Sequence, residues 1–118
     1  MANPILTKSY LAGGAIVPNR CVKFSASGTV VLSAAAADLS IGVTRPQITG
    51  ASGDRMDVVL GGIADTVCGD VVTRGTVVTS DVNGAIVNAA AGNRAVGIAL
   101  ESGVAGDIVP VLVSPGIA

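Results

Sequence analysis

Histidine and tryptophan are absent from this 118-residue sequence, and glutamate occurs once, at Glu101. Without histidine the chain lacks the commonest general base, the Ser-His pairings of hydrolases and the commonest metal ligand. Cys21 and Cys68 are the only cysteines, 47 positions apart. They form no CxxC pair, which excludes a structural zinc site or a thioredoxin-like redox motif of the usual spacing. No GxxxxGK[ST] or GxGxxG stretch follows a strand-like run, so no phosphate cradle is offered. Charge is sparse too. Seven basic and eight acidic residues, scattered singly to a net −1, leave no basic stripe to neutralise nucleic acid. The longest uncharged stretch, Phe24 to Ala37, has 14 residues and contains Ser, Gly and Thr. A membrane-spanning helix needs about 20 apolar residues, so no segment qualifies. The N-terminal stretch lacks the charged-then-apolar layout of a signal peptide, and a soluble, intracellular origin is expected. In that setting the two thiols are expected as buried small hydrophobes rather than as a disulfide.

The few polar groups that remain do not assemble into chemistry. Asp54, Asp57, Asp65 and Asp70 could be imagined as a carboxylate cluster, but in a strand Asp54 and Asp57 would point to opposite faces. Lys8 or Lys23 could in principle activate a serine, yet nothing in the spacing favours this over ordinary surface lysines. No catalytic, cofactor-binding or metal-ligating residue is assigned, no small-molecule substrate is expected, and the chain is read as a non-enzyme.

What the sequence has in quantity is valine, alanine and glycine. Half of its residues are hydrophobic, but only Tyr10 and Phe24 are aromatic. Branched side chains favour pleated, half-buried positions, and glycine supplies the turns between them. The length fits one domain. Strand-like runs alternate with turn signals: Cys21 to Ala26, Thr29 to Leu32, Ile41 to Thr44, Arg55 to Leu60, Ile63 to Val67, Thr76 to Ser80, Ala85 to Val87, Ala95 to Leu100 and Asp107 to Val113. A loop is expected over Gln47 to Asp54, and Gly61-Gly62 is expected to kink the chain. Ala34 to Ala37 and Ala89 to Ala91 are too short to nucleate helices and read as single turns. Pro4 discourages a helix at the start, so residues 1–19 read as an extended arm and 20–118 as one β domain.

The most informative pattern is an internal repeat. Arg20-Cys-Val-Lys-Phe24, Gly28 to Ala36, Ile41-Gly-Val43 and Gly53 to Leu60 recur, in order, as Arg74-Gly-Thr-Val-Val78, Gly84 to Ala91, Val96-Gly-Ile98 and Gly106 to Leu112. Corresponding positions lie 53 to 56 residues apart. Pseudo-repeats at about 20–60 and 74–112 would each hold a hairpin, an alanine turn, a short strand around glycine and a Gly-Asp turn into a final strand. Neither half can bury its apolar face alone, so the two units are expected to pack face to face. The expectation is an all-β protein: a compact sandwich or barrel of short antiparallel strands, built by internal duplication, with an extended N-terminal arm.

Several fragments taken together carry a resemblance: Met1 to Tyr10, Gly13-Gly-Ala-Ile16 with Pro18 and Arg20, Ile41-Gly-Val43, Asp57 to Ala64, Val72-Thr-Arg-Gly75, Val96 to Glu101, Ala105-Gly-Asp107 and Ser114-Pro-Gly116. In order and total length they resemble the small capsid decoration (cement) proteins of tailed bacteriophages. That resemblance implies a β-rich, catalytically silent protein made in the host bacterial cytoplasm and bound to the outside of the assembled head. The major capsid protein would be one partner and other copies of the chain a second, as a homotrimer or alternatively a dimer. No nucleic acid, membrane or cofactor is implied. The alternative is a non-catalytic β-barrel adaptor of another phage or bacterial assembly. Within the arm, Ile5, Leu6, Lys8 and Tyr10 are the candidate partner-binding residues: Leu6 and Tyr10 share one side of an extended segment with the Lys8 stem, and Tyr10 offers the largest amphipathic contact.

Overall fold

The computed structural model describes residues 3–45 and 51–117. The part of the expected loop at Gln47 to Gly50 therefore lies outside the described residues. Nine strands and no helix are found among those described: β1 (Asn3–Ala12), β2 (Cys21–Ala26), β3 (Thr29–Leu32), β4 (Ser40–Thr44), β5 (Arg55–Val67), β6 (Val77–Ser80), β7 (Ile86–Asn88), β8 (Arg94–Ala99) and β9 (Ile108–Ile117). The β2 and β3 runs fall where valine-rich sequence and the Ser27-Gly28 turn place them, with Gly28 at φ 71°. Both alanine clusters are turns, as their length requires. Asp38 caps the first by accepting the Ala34 N–H at 2.7 Å, and Asn93 caps the second by accepting that of Ala90 at 2.8 Å.

The strands form one sheet in the order β1-β3-β2-β4-β5-β9-β8-β6-β7. An additional antiparallel pairing of β1 with the first part of β5 closes the first five strands into a barrel. The remaining strands repeat that connectivity. The second part of β5 takes the place of β1, and β6, β7, β8 and β9 take those of β2, β3, β4 and β5. Even the parallel β1–β3 pairing at Ala12 and Val30 has its counterpart in the parallel bridge between Cys68 and Ile86. The Gly-Asp turns match bond for bond. Gly53 and Gly106, both at φ 90°, donate to the carbonyls of Ala12 and Cys68 at 2.8 Å. Asp54 and Asp107 then accept the N–H groups of Ala51 and Val104 at 2.9 and 3.0 Å.

Two expectations change. The Gly61-Gly62 kink does not break the chain; Gly62 takes φ 89° within a continuous β5. That single strand serves both units, ending the first and beginning the second. The units also do not pack sheet face to sheet face. The first barrel encloses a cluster of Tyr10, Ala12, Ile16, Val22, Val30, Met56 and Val58. Neighbouring residues on a strand face opposite ways, so Cys21, Val43 and Val59 point outward from that barrel. They are buried in the second cluster, with Val78, Ile86, Val96, Val111 and Val113. One barrel's outer wall thus packs against the interior of the next unit. Backbone bonds stitch this seam: Cys21 N–H to the Gly84 carbonyl at 2.7 Å, Arg94 N–H to that of Ala36 at 2.9 Å and Val67 N–H to that of Asn19 at 3.0 Å.

Candidate interaction surface

The four candidate residues all lie on β1, which is a wall of the barrel. Ile5 is 85% exposed and Leu6 is also exposed, both at the end where β1 meets Gly61 and Gly62 of β5. Lys8 is exposed and holds its ammonium 5.5 Å from the centre of the Tyr10 ring. Tyr10 itself is a correction. Only 7% exposed, it belongs to the core of the first barrel and stacks edge-to-face on Phe24 with ring centres 5.3 Å apart. Pairing of β1 with β5 turns Tyr10 inward, so its ring serves the core of the first barrel.

The structure adds apolar surface that strand reading did not single out. Val77 on β6, Ile98 on β8, Leu112 on β9 and Ile63 on β5 are directly paired neighbours, forming one row across the outside of the second unit. Ile98 and Leu112 are 37% and 39% exposed. A second apolar area surrounds the open end of the first barrel. Phe24 and Leu39 are 49% and 59% exposed there, with Ile41 and Leu60 half-buried beside them. Two shallow hollows of about 420 and 460 Å³ flank the Phe24 ring, one reaching Lys8, Tyr10 and Gly28, the other Leu39 and Ile41. Val77, Ile98, Leu112, Phe24, Ile41 and Leu60 each have, by strand register, a counterpart that is buried in the other half.

Several polar groups are committed to structure. Cys21 and Cys68 are free and buried. Burial, reinforced by the Asp81 carboxylate, pushes the Cys21 thiol up to about 12. Burial and then the charge of Asp107 also raise Cys68. Such thiols are inert, because the thiolate is the reactive form. Asp38 accepts a hydrogen bond from Lys23 Nζ at 2.9 Å, and this contact, with the Ala34 N–H, holds its carboxyl below the usual range. Asp81 accepts the N–H groups of Asn83 and Ala85 at 2.8 and 3.0 Å, closing the β6–β7 turn. Among the described residues no group of three or more His, Cys, Asp or Glu side chains could hold a metal ion.

A double β unit whose polar groups brace turns, and whose exposed ends are apolar, defines a β-barrel assembly module. The chain belongs to the phage cement protein family, whose pattern matches residues 3–114. It is accordingly a structural protein that decorates and stabilises the phage capsid, with the capsid as partner and the virion as its location. The fold is similar to that in a crystal structure of the head fiber gp8.5 N base of bacteriophage phi29, with a TM-score of 0.68 and 17% identity over 92% of this chain and 93% of that one. No curated protein sequence matches the chain.

Proposed function

We propose that the protein binds the outer surface of the assembled head as a homotrimer, with the leading end of β1 against the major capsid protein. The observation carrying this reading is the exposure of Ile5 and Leu6 on a strand braced along β5. A branched side chain 85% exposed at a rigid strand end is an anchor whose burial contributes about 1.5–3 kcal/mol. Placing it on a strand rather than a loose arm lowers the ordering cost of binding. A ligand that binds only the assembled lattice stabilises that lattice by mass action. Synthesis in the host cytoplasm, before binding, fits two reduced thiols. A two-fold dimer is the alternative oligomer.

The test is addition of purified protein to capsids that lack it, followed by image reconstruction and a thermal challenge. Wild-type protein should appear on the outside and raise the temperature at which heads rupture. Ile5→Asp and Leu6→Asp should fold normally yet decorate at least tenfold more weakly. Undiminished decoration by both variants would remove β1 from the shell contact.

A further inference from the structure

The two halves of the chain are alike in connectivity but unlike in what covers them. In the second unit, Ser80, Val96 and Val113 are all buried, in the region closed by Cys21, Val43 and Val59 from the first barrel's wall. Their counterparts in the first unit, by strand register, are Phe24, Ile41 and Leu60. These three are exposed or half-buried, because none of the described residues seals them as Cys21, Val43 and Val59 seal their counterparts. The converse holds for the wall. Cys21, Val43 and Val59 pair across β2, β4 and β5 just as Val77, Ile98 and Leu112 pair across β6, β8 and β9. The first row is sealed inside the chain and the second faces out. The turn glycines report the same asymmetry. A Cβ on Gly84 would lie 3.0 Å from the Cys21 carbonyl oxygen, whereas one on its counterpart Gly28 would meet nothing within 4 Å.

We propose that the row Val77, Ile98 and Leu112 of one subunit seats on the open barrel end of a second copy, around its Phe24, Ile41 and Leu60. The contact repeats between chains what Cys21, Val43 and Val59 make within one. It specifies the self-association invoked above and rests on that part of the reading. The occupant is argued from the chain itself: each surface already has, one repeat away, a working version of its partner. Because the two surfaces differ, the interface is head-to-tail, and such contacts close into rings or run on as filaments. A trimeric ring would then carry six units joined by alternating covalent and non-covalent seams. A two-fold dimer would require both head-to-tail contacts to form at once between the same two chains, a closed ring of two.

The test uses two substitutions placed on exposed side chains, Leu112→Glu on the wall and Leu39→Glu beside the barrel end. Circular dichroism confirms that each variant folds, and analytical ultracentrifugation reads association. Wild type should form a closed oligomer or filament, and each variant alone should be monomeric at concentrations where wild type assembles. Mixed in equal amounts, the two should yield a heterodimer and nothing larger, because each chain keeps one intact surface and only the two intact surfaces complement each other. A monomeric wild type, a variant that assembles like wild type, or a mixture that stays monomeric would each overturn the proposal. Decoration of capsids by either monomeric variant is scored separately. Decoration that persists supports the capsid reading whatever the fate of the interface, and surfaces found covered by the shell would assign them to the major capsid protein instead.

Discussion

Gly42 and Gly97 occupy the same place in the two units, each at the point where its strand runs closest to the next. A Cβ built on Gly42 would overlap the Val59 carbonyl oxygen, and one on Gly97 would overlap that of Leu112. Both glycines are buried and pair with Val22 and Val78 at matching register. The short Ile41-Gly-Val43 and Val96-Gly-Ile98 motifs therefore record a steric need of the sheet. Backbone cannot yield as a side-chain tip can, so Gly42→Ala or Gly97→Ala should destabilise by about 3 kcal/mol or more, the upper end of overpacking effects. Gly14→Ala and Gly116→Ala, where a Cβ would meet nothing within 4 Å, should change stability by less than about 0.5 kcal/mol. Urea denaturation of the four variants checks the contrast.

Removal of β1 separates a strand from an arm. Residues 3–11 pair with β5 and close the first barrel, and Tyr10 fills its core beside Met56 and Val58. Deletion of residues 2–10 should therefore unfold the first barrel rather than leave a folded body. Tyr10→Ala alone should cost about 3–5 kcal/mol, the range for truncating a buried aromatic. Near-ultraviolet circular dichroism and thermal melts read both. A truncated chain that melted like wild type would return β1 to the role of a loose arm.

How much of this was legible beforehand depends on the range of each interaction. Local signals were readable: β2, β3 and the turns at Gly28, Gly53 and Gly106 follow from neighbouring residues. Tyr10 was misplaced because its alternation with Leu6 and Lys8 says that they share a side, and not whether that side faces core or solvent. Only the pairing of β1 with β5, some fifty residues on, decides it. The repeat found by sequence began near Arg20, since β1 and the second part of β5 play the same part with dissimilar side chains. Ile63, Val77, Ile98 and Leu112 could not be told from core residues without their packing.

Acid should expose the contribution of Asp38. Its hydrogen bond from Lys23, with that from the Ala34 N–H, lowers its folded pKa below the ordinary 3.8. The folded chain then binds fewer protons at this group than the unfolded chain. The stabilisation is present above the unfolded pKa and is lost as pH falls through the folded one. Asp38→Asn is a clean control, because Asn93 caps the equivalent turn with its own side-chain oxygen. Below about pH 4 the melting temperature of wild type should fall more steeply than that of Asp38→Asn, the two curves converging in strong acid. Parallel curves throughout would mean that the pair contributes nothing measurable.

Val59 and Leu112 provide the sharpest comparison between a seam inside the chain and a surface outside it. They hold the same register position, opposite Val43 on β4 and Ile98 on β8. Val59 is 2% exposed within the second unit's cluster, whereas Leu112 is exposed. Truncating Val59 removes two methyl groups from a packed interior, so Val59→Ala should destabilise by about 1–3 kcal/mol from lost transfer energy and the cavity left behind. Leu112→Ala removes more carbon atoms but from a solvated wall, and should leave monomer stability within about 0.5 kcal/mol of wild type. Its effect should appear in association instead, weakening self-assembly by roughly tenfold or more, as expected for a central apolar contact. Denaturation at low protein concentration reads the first quantity and sedimentation at high concentration the second. If Leu112→Ala lowered monomer stability as far as Val59→Ala does, the wall of the second unit would be sealed within its own chain, and the asymmetry between the two units would vanish.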